Sequence, residues 1–399
     1  RGEREEWYKA STFDWDKLYV PASWNEQSTE YTWYMGKAWY SRGFWVPKDW
    51  EDKLILIGFE GVNYRAKVWV NGQFLGEHEG GFTPFAFRTG HILNFGGENR
   101  VVVLVDDTLS TKTIPPGEGM NRTYFDFFHY GGIHRDVYLR SVPKLHIRDV
   151  TIRTGIKGGD GVVDVEAVVL NEEEKGASCD LVLQVLDEGM VVSEKTVKFT
   201  IAAHAEKSVK DRLIVKGAKF WSVGSPHLYL MRKKLTVGGS VKDALDTRFG
   251  IRTVKVERGR ILLNGRPVFL KGFGRHEDFP ILGKALTGAI LRKDYGLMKE
   301  VGANSFRTSH YPYSRTHLDL ADENGFLVIL ELPTVGIRTT VDLPWVTQKL
   351  RLGKGLDRLD DPEMIEKAKK MLREMINRDK NRPSVIMYSL FNEPSSDRE

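Results

Sequence analysis

The chain has 399 residues, 41% hydrophobic and 28% charged, a balance that suits a globular protein of about two to four domains and excludes a disordered chain. Its net charge of +5 comes from 59 basic and 54 acidic residues mixed along the sequence, so no basic tract follows a phosphate backbone and nucleic acid is excluded as a partner. A single cysteine, Cys179, excludes an intrachain disulfide, and no apolar run approaches the ~18 residues of a membrane-crossing helix, so no membrane partner is expected.

The chain opens at Arg1 with RGEREEWY, which reads like the middle of a longer protein. With no signal peptide visible, the compartment leans to the cytoplasm. From Trp39 to Val142 short β-rich runs alternate with turn residues: WYSRGFWVP, KLILIGFEGV, AKVWVNGQFLGEH, RVVVLVDD and HRDVYLRSV. Asn71-Gly72, after Val68, Trp69 and Val70, predicts a hairpin closed by a type I′ turn, because Asn-Gly readily takes positive φ at both central positions. Residues 1–142 are therefore read as an antiparallel β-sandwich. The chain is 11% aromatic, with 10 Trp and 14 Tyr. Flat rings stack on sugars and equally fill sandwich cores.

Residues 143–252 continue in strands, VVDVEAVVL, DLVLQVLDE and EKSVKDRLIV, at the spacing of an immunoglobulin-like sandwich, with Cys179 in one of them. Nothing in this segment clusters chemically reactive side chains, and it reads as a scaffold.

From 253 to 399 the period changes. Apolar runs suited to buried parallel strands (PVFLKG, NSFR, FLVILE and SVIMYSLF) alternate with helices. One helix runs from Leu291 to Val301 and stops at Gly302; another follows Ser314 and ends before Gly325. The third covers 363–380, with Asp361 as cap, Pro362 in its first turn, and Met364, Ala368, Met371, Leu372 and Met375 on one face. The order β-α-β-α-β-α-β predicts a parallel barrel.

In such barrels reactive groups project from the C-terminal ends of the strands. Those ends carry Arg275, His276 and Glu277; then Arg307 and His310; then Glu331; then Asn392 and Glu393. Any one of these suits a structural ion pair, but four consecutive strand ends in register point to an active site. Glycoside cleavage with retention needs two carboxyl groups about 5–5.5 Å apart, one as acid and one as nucleophile. Glu393 is the candidate acid, and Asn392 beside it is placed to donate to a sugar hydroxyl.

The blocks GFGRHEDFPILGKAL, GANSFRTSHYPYS, LADENGFLVILE and FNEP resemble glycoside hydrolase family 2, and within it the β-glucuronidases. The resemblance extends upstream through WYSRGFWVPKDW, AKVWVNGQ, HEGGFTPF, TIPPG, YFDFFHYGGIHRDV and RFGIRTV, and so spans essentially the whole chain. It implies a jelly-roll-like sugar-binding sandwich, an immunoglobulin-like sandwich and a (β/α)8 TIM barrel, of which the first four βα units are present. It further implies Glu393 as acid/base, Asn392, His310 and Asp126 as sugar contacts, and Arg275, Arg307, His276 and Glu331 as supports of the pocket. The nucleophilic glutamate and the groups that grip the glucuronate carboxylate would then lie beyond Glu399. No cofactor and no metal is implied, and homo-oligomers are expected. The long segment 337–361, with Lys349, Arg351 and Lys354, is read as a loop over the barrel mouth that selects aglycones. A family 2 β-galactosidase or β-galacturonidase, and a non-catalytic carbohydrate-binding protein, are the alternative readings.

Overall fold

The computed structural model describes residues 1–10, 14–118, 123, 125–335 and 361–392. The first sandwich faces a sheet of Lys37–Val46, Gly97–Asp106, Arg65–Val70 and Gln73–Glu79 against one of Phe85–Arg88, Leu54–Phe59 and Val137–Val142. Alternate β-branched residues supply its core, among them Val46, Ile55, Ile57, Val68, Val70, Val103 and Val105. The Asn71-Gly72 turn forms as its sequence dictates, with φ of 49° and 78° and Val70 opposite Gln73.

Asp107, just past Gly97–Asp106, is fully buried. One oxygen accepts the Gly36 N–H at 2.6 Å and the other has no partner among the described residues. Burial pushes its pKa up to about 7. The folded form thus keeps a proton that the unfolded chain gives up near pH 4, and the associated stability, full below that pH, is lost as pH rises towards 7, at about 1.4 kcal/mol per unit. Asp107→Asn is therefore expected to gain stability over the wild type progressively between about pH 4 and about pH 7. Urea midpoints of the two proteins check this; a constant difference would refute it.

The second sandwich pairs Met190–Ile201, Ala177–Asp187, Tyr229–Val237 and Ser240–Phe249 against Ala205–Val215, Asp160–Asn171 and Leu145–Lys157. Asp160–Asn171 alternates regularly, sending Val163, Val165, Ala167 and Val169 inward, where Cys179 joins them.

A short antiparallel meander (Val254–Glu257, Arg260–Leu263 and Arg266–Pro267) precedes the barrel strands. These are β1 (Gly272–Arg275), β2 (Ser305–Thr308), β3 (Leu327–Glu331) and β4 (Val385–Ser389), parallel neighbours in that order. The first strand thus begins where the apolar run PVFLKG ends, because Val268 and Leu270 pack instead into a small cluster with Trp221 and Leu327. Gly272 is required there: a Cβ would sit 1.8 Å from the Ser305 carbonyl oxygen. Phe273 on β1 and Met387 and Tyr388 on β4, the outer two strands, are exposed.

Helices α1 (Gly288–Glu300), α2 (Arg315–Asn324) and α3 (Pro362–Asp379) begin at Thr287, Ser314 and Asp361, whose side chains accept first-turn N–H groups. Gly325 ends α2 at φ 73°. The barrel and the first sandwich share one apolar cluster: Tyr64, Phe82, Phe125 and Phe127 pack with Tyr311, Tyr313, Met371 and Val335. Polar ties reinforce it. Glu374 on α3 accepts from Thr83 at 2.5 Å and meets His78 at 3.2 Å, and Lys367 pairs with Glu79 at 3.0 Å. The second sandwich braces the approach to β4, for Arg252 donates to the carbonyls of Pro383 (2.5 Å) and Val385 (2.6 Å), and Asn381 bonds both Ile152 N and Val150 O.

Candidate active site

Strand alternation divides the groups at the end of β1. The Arg275 guanidinium turns into the helix layer, where it pairs with Asp294 of α1 and His317 of α2, so it lies apart from the other strand-end groups. His276, the next residue, faces the opposite way. Its ring lies edge-to-face with His310, centroids 5.3 Å apart. Its buried Nδ1 has no hydrogen-bond partner among the described residues. Burial, and then the neighbouring His310, hold its pKa below the usual value, favouring the neutral imidazole.

Glu331, at the end of β3, is fully buried and fully engaged. Oε1 lies 2.6 Å from His310 Nδ1; Oε2 accepts from Ser389 Oγ at 2.6 Å and lies 3.1 Å from Arg307 Nε. A carboxylate only accepts, so His310 carries a proton on Nδ1, and in the neutral imidazole its Nε2 presents a lone pair. Arg307 also donates from Nη2 to Asn392 Oδ1 at 3.0 Å. That bond assigns the amide: its oxygen is taken by a cation and its NH2 is left to donate. Asn392 is held further by its own N–H on the Thr334 carbonyl, 3.2 Å away.

Asp126 reaches the same place from the first sandwich. Its neighbours Phe125 and Phe127 are buried in the shared core, and Phe127 packs edge-on against Tyr311 at 5.2 Å, which pins the segment to the barrel. One ligand atom each of Asp126, His276 and His310 lie within 4.8 Å of one another. The structure therefore brings together Asp126, His276, Arg307, His310, Glu331 and Asn392. Glu393 lies outside the described residues, as do Lys349, Arg351, Lys354 and the rest of 337–360.

Three contributors were not singled out from sequence. Ser389 completes the shell of Glu331, and its only sequence signal is a hydroxyl near the end of an apolar strand. Arg135 joins the first sandwich to Glu277 (3.1 Å) and to the Pro312 carbonyl (2.7 Å). Lys284 is buried with its ammonium 4.0 Å from the Tyr311 ring centroid and 4.4, 4.9 and 5.7 Å from those of Phe127, Phe82 and Tyr130. Burial pushes its pKa down to about 8, while the four ring faces favour the charged form. The cage rings come from three separated stretches of chain, so sequence spacing gives no sign of it.

The site can thus offer acceptors (Asp126 and His310 Nε2) and a donor (the Asn392 amide) to a polyhydroxylated ligand; Glu331 orients His310 and Arg307 orients Asn392. Residues 2–143 match the family described as glycosyl hydrolases family 2, sugar binding domain; 145–252 match glycosyl hydrolases family 2; and 254–399 match its TIM barrel domain. The chain is 35% identical over 414 aligned residues to a β-glucuronidase of Paenibacillus borealis, covering 99% of this chain and 65% of the relative. It is 34% identical to one from Streptococcus agalactiae, covering 95% and 62%. Among solved structures it superposes on the apo β-glucuronidase of Ruminococcus gnavus with a TM-score of 0.86 at 35% identity, covering 98% of this chain and 64% of that one. The same enzyme in complex with D-glucuronic acid gives 0.85 at 34%, covering 100% and 65%. The chain therefore spans a little under two thirds of the relatives it matches.

Proposed function

Because this chain belongs to glycoside hydrolase family 2, we propose that the protein of which it forms part removes β-D-glucuronic acid from β-glucuronides by double displacement. The convergence of Asp126, His310 and Asn392 from two domains, around the buried Glu331 and the partly exposed Arg307, carries this reading. Asp126 and His310 accept sugar hydroxyls. The Asn392 amide donates to the hydroxyl beside the anomeric carbon, a bond that tightens as charge develops there. Glu393, next in sequence, protonates the leaving oxygen and then deprotonates the water that releases the sugar.

Glu331 is assigned a supporting role. A nucleophile needs a free oxygen facing the anomeric carbon, and both of its oxygens are occupied by His310, Ser389 and Arg307. The nucleophile is assigned to a glutamate beyond Glu399, together with the groups that take the glucuronate carboxylate.

The test compares aryl β-D-glucuronide, galacturonide and galactoside as substrates of the complete protein, with the anomer of the first-formed sugar read by NMR. A site built to bind the carboxylate is expected to favour glucuronide over galactoside by about 10⁴-fold in kcat/KM, with the β-anomer formed first. Preference for either other sugar would favour the alternative within the family, and an α-anomer would remove the double displacement.

A further inference from the structure

Three of the groups at the barrel mouth have the chemistry of metal ligands as well as of sugar contacts. Asp126, His276 and His310 each place one ligand atom within 4.8 Å of the other two. A zinc-type ion bound at about 2.0–2.2 Å by nitrogen and oxygen ligands draws its donors somewhat closer than that. Two of the three are free to close the gap. Asp126 is exposed, with no hydrogen bond or ion pair among the described residues, and His276 makes ring contacts only, its Nδ1 being one of the orphaned buried atoms.

His310 is already prepared. Its Nδ1–H faces the Glu331 carboxylate at 2.6 Å, and that carboxylate is fixed by Ser389. A carboxylate behind a histidine is the arrangement that orients metal-bound imidazoles, raises their basicity and leaves Nε2 as the coordinating atom. The local charge is favourable too. The carboxylates of Asp126, Glu331 and Asp278 stand against two cations, of which Arg307 is engaged with Glu331 and Asn392, and Lys284 with its aromatic cage.

We propose that Asp126, His276 and His310 form a three-ligand site for a borderline divalent ion of the zinc type, with an open fourth position, and that an ion bound there inhibits the enzyme. The metal site rests on geometry alone. Its inhibitory consequence rests on the glucuronidase reading, in which Asp126 and His310 must accept sugar hydroxyls and cannot do so while bound to a cation. The ion would also tie a segment of the first sandwich to the barrel, so it stabilises the docked domains.

The probe is Co(II) added to the metal-free complete protein, because three protein ligands with a low coordination number give intense visible d–d absorption. One equivalent is expected to produce these bands, Zn(II) to displace them, and Asp126→Asn and His276→Ala each to abolish them. The melting temperature is expected to rise with Zn(II) in the wild type and in neither variant. Asp126 is exposed, so its variant carries the test if His276→Ala fails to fold. Absence of the bands at saturating Co(II), or their persistence in Asp126→Asn, overturns the site. Zn(II) is expected to raise the KM for aryl glucuronide without lowering kcat; a fall in kcat at constant KM, or no change in either, overturns competition with the sugar for Asp126 and His310 while leaving the site. The spectroscopic result is independent of turnover, so a protein that binds Co(II) but does not cleave glucuronides would refute only the catalytic reading.

Discussion

Replacing Glu393 with glutamine in the complete protein is expected to lower hydrolysis of aryl β-D-glucuronides by about 10²–10⁴-fold, the range of a lost general acid–base. The amide keeps the size of the side chain and the neighbouring Asn392, whose position is set by Arg307 and Thr334. What disappears is the proton transfer. A phenol of high pKa cannot leave unprotonated, so its glucuronide shows the full loss in the first step. A dinitrophenol leaves without help, so its glucuronide shows the loss in the second step, when water must be deprotonated to attack the covalent intermediate. Azide needs no base and is expected to restore turnover of the dinitrophenyl substrate, releasing β-glucuronyl azide. The measurement is kcat for both substrates with and without azide. Unchanged hydrolysis would remove Glu393 from the mechanism, and an α-azide product would place the carboxylate on the other face of the sugar.

The largest expected effect on stability falls at the joint between the first sandwich and the barrel. Arg135 and Glu277 are almost wholly buried and pair at 3.1 Å; the same guanidinium donates to the carbonyls of Phe82 (2.8 Å) and Pro312 (2.7 Å). Arg135→Met leaves the Glu277 carboxylate in a low-dielectric interface, takes the donor from the Pro312 carbonyl and leaves that of Phe82 with only a 3.5 Å contact to Arg378, an expected cost of about 3–5 kcal/mol. Urea midpoints are the appropriate readout in a chain of several domains. Because a buried ion pair exchanged for apolar residues is often near neutral, the double variant Arg135→Met with Glu277→Leu is expected to recover much of the loss. If the double variant unfolds at a lower urea concentration than Arg135→Met, the two side chains do not act as a pair.

Where structure follows from neighbours in sequence, the chain was legible. The Asn71-Gly72 turn, the Ser314 and Asp361 caps and the Gly325 stop each rest on a few adjacent residues. Legibility failed where distant segments decide. PVFLKG has the composition of a strand, yet β1 starts at Gly272, which pairs with Ser305 at an approach that a Cβ would block, while Val268 and Leu270 pack elsewhere. Arg275 and His276 were grouped as one strand end, whereas the two-residue alternation of a strand sends one towards Asp294 and the other towards His310. Asp126 was found by resemblance alone, since nothing in the composition of its own segment shows that it reaches the barrel. The second sandwich, read as a scaffold for want of reactive groups, touches the entry to β4 through Arg252 and through the backbone of Val150 and Ile152, which bond Asn381 of the barrel.

The candidate site takes Asp126 from a sandwich segment and its other groups from the barrel strand ends, and the two parts are joined across an apolar cluster that neither domain owns alone. Neither part holds that set of groups by itself. The set is complete only once the two have docked, and contacts between stretches far apart in the chain are expected to form late. In a refolding or newly made protein, the appearance of secondary structure and the assembly of this set of groups are therefore expected to be separate moments.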